Sequence, residues 1–201
     1  MSNAAKNKLL TTPNLARIAV LAAVASVLFL IEIPLGMPFY KLDLSNIPVL
    51  IGAFSMGPVA GVLILGLKSL IGLTHSSSAG VGELADFIMG LAMILPAGLI
   101  YQRNKTRRTA LLGMLCGMIC AVVISVFVNK WIMLPFYMGA FHMSMEELVA
   151  AAHWGGVDSE WKLLLMITAP FNLIKGLVIS LLTAMLYKRV SPLLHGKGKL
   201  N

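Results

Sequence analysis

Long apolar segments with almost no charge constrain this chain more than any other feature. Charged residues make up only 12% of the sequence, whereas an ordinary soluble domain carries about 25%. A segment of about 20 apolar residues is long enough to cross a bilayer as a helix. We therefore predict an integral membrane protein. The first apolar segment, residues 15–33, has no clear cleavage site and precedes further apolar segments, so we interpret it as a span and not as a signal peptide.

The apolar segments predict an all-α protein with six transmembrane helices, of which the second and third are short. Residues 47–73 are too few for two full spans, and Gly57-Pro58 in their middle argues against one straight helix. The other helices are predicted over residues 14–33, 82–102, 109–135 and 160–188. Ser144 and Glu147 predict a capping box for a small amphipathic helix over residues 144–152. The predicted transmembrane domain is residues 14–190, between an N-terminal tail at 1–13 and a basic tail at 191–201.

The placement of charge predicts the orientation of these helices. Lysine and arginine cluster near both ends of the chain and near residue 105. The positive-inside rule places these clusters, and both termini, in the cytoplasm. Membrane topology thus explains the net charge of +8 better than nucleic-acid binding does. All the acidic residues then fall on or toward the outer side: Glu32, Asp43, Glu83, Asp86, Glu146, Glu147, Asp158 and Glu160.

Several polar residues interrupt the apolar segments. A lysine at the centre of a membrane helix costs about 2.5–3.5 kcal/mol by insertion scales, so Lys175 indicates an ion pair, a polar cavity or snorkelling. Asn172 lies three residues earlier, on the same helix face. With Asp86 and Asn129, which we expect nearby, they predict a polar pocket that has Lys175 at its base. Lys68, in the third helix, either joins this site or snorkels outward.

The residue types in this pocket indicate binding and not catalysis. Asn129 and Asn172 can each donate and accept, so they could recognise an amide-like or imide-like ring edge; helix–helix hydrogen bonding is the alternative. The sequence contains no HExxH, GxSxG or Walker A motif and no set of residues at metal-ligand spacing. We therefore predict no catalytic and no metal site. Aromatic residues could supply flat contacts to a ring: Trp131, Phe136, Tyr137 and Phe171.

Small residues in the first helix predict a close helix contact. Ala19 and Ala23 are four residues apart, a spacing that lets another helix approach closely. That other helix could belong to this bundle or to a partner protein.

Three stretches of the sequence are informative when taken together: residues 41–48 (KLDLSNIP), residues 57–61 (GPVAG) with Lys68 following, and residues 170–176 (PFNLIKG). They resemble the S-components, the substrate-binding membrane subunits of energy-coupling factor (ECF) vitamin transporters, most closely the riboflavin-specific type. Residues 79–87 (AGVGELADF) look like the family's Gly-rich loop entering the fourth helix. Asn129 with Leu134-Pro135 looks like the fifth-helix motif.

The resemblance implies a six-helix subunit of the bacterial plasma membrane that binds riboflavin with high affinity from the outside and is not an enzyme. Riboflavin would be the transported ligand, with no cofactor. The implied partners are a transmembrane coupling protein, contacted through Ala19 and Ala23, and two cytoplasmic ATPases. The resemblance further implies that a set of residues contacts or closes over the flavin: Asn129, Asn172 and Lys175, with the loop at Ala79, Gly80 and Gly82. Asp43, Lys68 and Asp86 complete the predicted substrate-binding site.

Asp86 departs from the family pattern, because riboflavin-type relatives often carry asparagine there. An ionised carboxylate accepts hydrogen bonds but does not donate them, so Asp86 could contact ribityl hydroxyls or pair with a lysine. It would also repel a phosphate, which favours riboflavin over flavin mononucleotide. The departure leaves room for another vitamin, such as thiamine, pyridoxine or a pantothenate-like acid. The alternatives from other classes are a small membrane enzyme and a structural membrane subunit.

Overall fold

A computed structural model describes residues 11–34, 40–150 and 156–195. A 3-10 turn (Leu73–His75) extends the third helix, and two π-helical turns (Asn129–Met133 and Leu164–Thr168) lie between later helices. Two short strands, β1 (Ile33–Pro34) and β2 (Lys41–Leu42), pair antiparallel. In chain order the described helices are α1 (Thr12–Leu30), α2 (Asn46–Met56), α3 (Pro58–Gly72), α4 (Val81–Arg103), α5 (Arg107–Val128), α6 (Leu134–Phe141), α7 (Met145–Ala150), α8 (Glu160–Leu163) and α9 (Ala169–His195).

Five helical segments are long and apolar enough to cross a membrane: α1, α3 with its 3-10 turn, α4, the continuous α5–α6 unit, and the α8–α9 unit as far as Tyr187. α2 is apolar but has only 11 residues. At 1.5 Å per residue it is about 17 Å long, which is well short of the roughly 30 Å hydrocarbon core. The prediction of an all-α protein with membrane-capable helices is therefore confirmed.

The short helix α2 occupies the centre of the bundle. Every residue from Asn46 to Phe54 is buried, and α2 packs against α1, α3, α4 and α9. A helix that is apolar on all sides requires this kind of enclosure. Gly57, with φ of 103°, ends α2 at the predicted break, and Pro58 begins α3. Because α2 is short, Asp43 and Ser45, which precede it, lie buried inside the bundle.

Three helix ends differ from the boundaries predicted from sequence. α1 ends at Leu30, because Ile33 pairs with Leu42 in the strand ladder. The fifth helix continues beyond Pro135 to Phe141 through a π turn and α6. Pro135 is tolerated because it falls in the first turn of α6. α9 continues to His195, past the predicted helix end at residue 188, since helical hydrogen bonding need not stop where the apolar segment stops.

The predicted capping box is confirmed at the start of α7. The backbone N–H of Ser144 donates to Glu147 Oε2 at 2.7 Å, and the N–H of Glu147 donates to Ser144 Oγ at 3.2 Å. Residues 151 and 152 of the predicted amphipathic helix lie outside the described residues.

The two ends of the bundle differ in charge. A Cβ atom at Gly57 would lie 3.7 Å from Gln102 Nε2, so the α2–α3 corner is at the same end as the α4–α5 connection. That connection is basic, with Arg103, Lys105 and Arg107. The opposite end holds the starts of α2 and α4 and the end of α5, and it is acidic.

The helices α4 and α5 form the most extensive helix pair in the bundle. A Cβ atom at Gly117 of α5 would lie 2.1 Å from the carbonyl oxygen of Met93 in α4, which is closer than Cβ contacts allow. The absence of a side chain at Gly117 therefore permits this close approach.

We expect Gly117→Ala to destabilise the protein, because overpacking typically costs about 1–3 kcal/mol. Gly139→Ala is the matched control, since a Cβ atom there would meet nothing within 4 Å, and both changes gain the same helix propensity. Thermal unfolding in detergent should show a lower midpoint for Gly117→Ala alone. Equal midpoints for the two variants would contradict the close packing of α4 on α5.

Candidate functional site

A cavity of about 260 Å³ opens at the acidic end of the bundle. This volume is near the lower end of the range for small-molecule sites, about 300–1,000 Å³. The walls come from α1, α4, the α5–α6 unit, α9 and the connections before α2 and α4. The charged lining residues are Glu32, Lys41, Asp43, Glu83, Asp86 and Lys175, and the aromatic ones are Phe29, Phe136, Tyr137, Phe141 and Phe171.

Two lysines and two aspartates form a closed network at the wall of this cavity. Lys68 Nζ lies 2.6 Å from Asp86 Oδ2, and Lys175 Nζ lies 2.6 Å from Asp43 Oδ2. Lys175 Nζ is also 3.8 Å from Asp86 Oδ1. Ser45 connects the two pairs, because its hydroxyl accepts from Lys68 at 2.8 Å and donates to Asp43 Oδ1. Each charge in the network thus has an opposite charge beside it.

Lys68 is fully buried, with none of its surface exposed to solvent. Its three protons have three acceptors: Asp86 Oδ2, Ser45 Oγ and, at 3.2 Å, Asn46 Oδ1. The ammonium group also lies 4.9 Å from the centre of the Phe29 ring, within cation–π range. Lys68 therefore does not snorkel. It lies behind Asp86 and is not on the cavity wall.

Asp43 lies between β2 and α2, outside the membrane-capable helices. Burial alone would raise the pKa of its carboxyl group. The charges of Lys175 and Lys68, together with hydrogen bonds from Lys175 and Ser45, instead hold that pKa well below its usual range. Asp43 is therefore ionised at neutral pH. Its ion pair with Lys175 joins the connection before α2 to α9.

Asn129 and Asn172 face the cavity and are held in the same way. The Asn129 Nδ2 group donates to the carbonyl oxygen of Ser125 at 2.8 Å, and Asn172 Nδ2 donates to that of Thr168 at 2.9 Å. Asn129 begins one π turn and Thr168 ends the other, and π turns are frequent at functional sites. Within the part of the chain that the structure describes, these are the only side-chain hydrogen bonds of the two asparagines, so each retains its Oδ1 and one amide proton for a ligand.

Tyr40 helps to position this wall. Its hydroxyl group hydrogen-bonds to the Thr168 hydroxyl, and its ring lies 5.0 Å from the ring of Phe171, centre to centre. The connection before β2 therefore supports two neighbouring cavity residues, Phe171 and Asn172.

The structure brings most of the residues predicted from sequence to one cavity: Asp43, Gly82, Asp86, Asn129, Asn172 and Lys175. Lys68, Ala79 and Gly80 are not on its wall. Ala79 and Gly80 both have positive φ and form the turn that leads into α4. Among the aromatic residues considered, Trp131 points away from the cavity, since it is 66% exposed and stacks on Phe127.

Sequence reasoning missed several residues of the cavity. Glu32 and Lys41 form an ion pair of 2.5 Å at the rim. Glu83 lines the wall and is only 8% exposed. The signal for Glu83 was present, since it is an acidic residue in an apolar chain, three residues before Asp86. Phe29 and Phe141 carried no such signal.

Comparison with known proteins agrees with this geometry. Residues 13–187 match the family described as ECF transporter, substrate-specific component. The chain is 31% identical to the riboflavin transporter RibU of Staphylococcus aureus (strain TCH60), over 94% of this chain and 93% of that protein. It is 28% identical to the riboflavin transporter FmnP of Bacillus subtilis (strain 168), over 87% of this chain and 90% of that protein.

A solved structure of the S component of a bacterial ECF transporter has the same fold. The TM-score is 0.71 at 29% identity, over 90% of this chain and 97% of the other. This chain therefore belongs to the family of substrate-specific components of ECF transporters. It is a multi-pass membrane protein that binds a substrate for transport, and it is not an enzyme.

We expect Lys68→Met to destabilise the protein strongly. The change leaves the Asp86 carboxylate buried with only the more distant Lys175, and breaking a buried ion pair costs about 3–5 kcal/mol. Lys162→Met is the matched control, because Lys162 pairs with Asp158 at the surface, where an ion pair contributes about 0–1 kcal/mol.

The midpoint of thermal unfolding in detergent measures both effects. Adding Asp86→Leu to Lys68→Met should recover part of the loss, because the orphaned charge is then removed. If Lys68→Met and Lys162→Met unfold at the same temperature, the buried network does not stabilise this fold.

Proposed function

We propose that this chain is the riboflavin-binding subunit of an ECF-type, ATP-driven vitamin uptake transporter. The observation that carries the proposal is the pair of matched asparagines, Asn129 and Asn172, in a cavity with aromatic walls. The names of the relatives support it, since both are riboflavin transporters that align with most of this chain.

The chemistry of the cavity fits a flavin. The retained Oδ1 atoms and amide protons of Asn129 and Asn172 are complementary to a ring edge that carries both C=O and N–H groups. Phe136, Tyr137 and Phe171 offer apolar surface to the flat ring. Charged and hydroxyl side chains elsewhere on the wall offer partners for the ribityl hydroxyls.

The charge difference between the ends of the bundle supports an orientation. The basic α4–α5 connection lies at the end opposite the cavity, and the positive-inside rule assigns such a connection to the cytoplasm. The cavity then opens to the outside and both termini are cytoplasmic. The loop at residues 79–82, which enters α4, closes over the bound ligand.

The surface of α1 supports docking on a coupling protein. Ala19 and Ala23 are both exposed on α1, as are the neighbouring Val20 and Val27. An exposed face with small residues four apart lets a partner helix approach closely. The partners are a transmembrane coupling subunit that contacts this face and two cytoplasmic ATPases that supply energy.

Purified protein should be yellow from bound flavin, or should quench the fluorescence of added riboflavin. Asn172→Ala and Asn129→Ala should each weaken riboflavin binding about tenfold or more, since each leaves polar ligand atoms unpaired. Asn104→Ala, in the exposed α4–α5 connection, is the matched control and should bind as wild type does. A wild-type protein that neither retains nor quenches riboflavin would contradict the proposal.

Replacing Ala19 with leucine should separate binding from transport. The bulkier side chain would hold the coupling subunit away from α1, so cellular riboflavin uptake should fall several-fold. Riboflavin binding by the purified subunit should not change, because Ala19 is exposed on α1 and does not line the cavity. Cys120→Leu, an exposed position on α5, is the control and should transport normally. Normal uptake by Ala19→Leu would exclude this face as the docking surface.

A further inference from the structure

Glu83 is the acidic residue at the cavity that has no lysine partner within the described residues. The other three carboxylates are each matched: Glu32 with Lys41, Asp43 with Lys175, and Asp86 with Lys68. Among the residues that the structure describes around the cavity, one negative charge is therefore uncompensated, and it is located on Glu83.

Two serine hydroxyl groups donate hydrogen bonds to the Glu83 carboxylate. Ser76 Oγ donates to Glu83 Oε2 at 2.7 Å, and Ser78 Oγ donates to the same atom at 3.3 Å. Both hydroxyl oxygens already accept backbone N–H groups, those of Ser78 and Gly80 for Ser76 and that of Gly82 for Ser78. Their protons are therefore directed at the carboxylate. Glu83 also lies in the first turn of α4, where the helix dipole stabilises a negative charge.

The second carboxylate oxygen of Glu83, Oε1, takes no hydrogen bond from any residue that the structure describes. Glu83 itself is largely buried and lines the cavity. This oxygen is thus available to accept a hydrogen bond from a ligand O–H or N–H group. It is equally placed to repel a ligand that carries negative charge.

Asp86 cannot fill this role, although the sequence singled it out. Its carboxylate is neutralised by Lys68 at 2.6 Å and lies 3.8 Å from Lys175. An approaching anion would meet Lys175 beside that carboxylate, whose charge Lys68 already balances from behind. Glu83, and not Asp86, is therefore the residue that we expect to repel a negatively charged ligand.

We propose that Glu83 makes this cavity select uncharged flavin over its phosphate ester. The inference rests on the proposed flavin-binding function and deepens it, because it names the residue that sets the charge of the accepted substrate. A phosphate group brings up to two negative charges into a wall that already holds one, and like charges brought together at a desolvated surface are strongly unfavourable. Riboflavin meets no such repulsion.

The test is the ratio of the dissociation constants of riboflavin 5′-phosphate and riboflavin, measured by flavin fluorescence on the purified full-length protein. Glu83→Gln removes the charge but keeps an acceptor for the two serine hydroxyls. We expect this ratio to fall about tenfold or more. Glu146→Gln, the same charge change at an exposed position on α7, is the matched control and should keep the wild-type ratio.

Ser78→Asp should change the ratio of the two dissociation constants in the opposite direction. It adds a carboxylate to the same wall and can still accept the Gly82 N–H, so the ratio should rise. It also keeps the inference testable if Glu83→Gln does not fold, which thermal unfolding of each variant will show.

The inference is overturned if Glu83→Gln and Glu146→Gln have the same ratio, or if Ser78→Asp leaves the ratio unchanged or lowers it. It is also overturned if Glu83→Gln loses both ligands equally at an unchanged unfolding temperature, because Glu83 would then hold the flavin without discriminating. Wild-type protein that binds neither flavin would overturn the proposed function itself. Binding of both flavins by the wild type with equal affinity would overturn this inference alone.

Discussion

The ion pair between the fully buried Lys68 and Asp86 of the cavity wall is the interaction on which the rest of the site depends. An unpaired ammonium group at that position would strongly destabilise the protein. The position of α3 along α4 is therefore fixed by the need to bring Lys68 and Asp86 together. Ser45 and Asn46 satisfy the remaining protons of Lys68, which fixes the start of α2 at the same depth. One lysine therefore connects three helices behind the cavity wall, through an ion pair to α4 and hydrogen bonds at the start of α2.

The shortness of α2 and the polarity of the cavity are two aspects of the same arrangement. A full-length helix at the centre of the bundle would fill the space with apolar side chains. Because α2 begins well inside, the chain before it enters the interior and carries Asp43 to Lys175 of α9. The last helix is thereby connected to the first half of the chain, and Asn172 and Phe171 are held on the same wall by Tyr40 and Thr168.

The helices could be predicted from the sequence because the lengths of the apolar segments and the Gly57-Pro58 break allow few other arrangements of helices. Sequence reasoning also found Asn172 and Lys175, because polar residues in membrane helices are conspicuous. The sequence did not show which lysine pairs with which carboxylate, because pairing depends on distances between helices that no local sequence pattern determines. Asp86 and Glu83 are equivalent as sequence signals, three residues apart, yet one is neutralised by Lys68 and the other is held only by serines. Trp131 was misassigned for a similar reason, because the sequence did not show which face of this helix meets the cavity.

The bond between Asp43 and Lys175 joins residues 132 positions apart, which has a consequence for biosynthesis. At the usual speed of translation, on the order of ten seconds pass between the synthesis of the two residues. During that interval the nascent chain carries Asp43 without its closest counter-charge, and the wall formed by α9 does not yet exist. A chain that stops before its final helix would therefore lack a complete cavity and would leave a buried carboxylate for the cell's quality control to recognise.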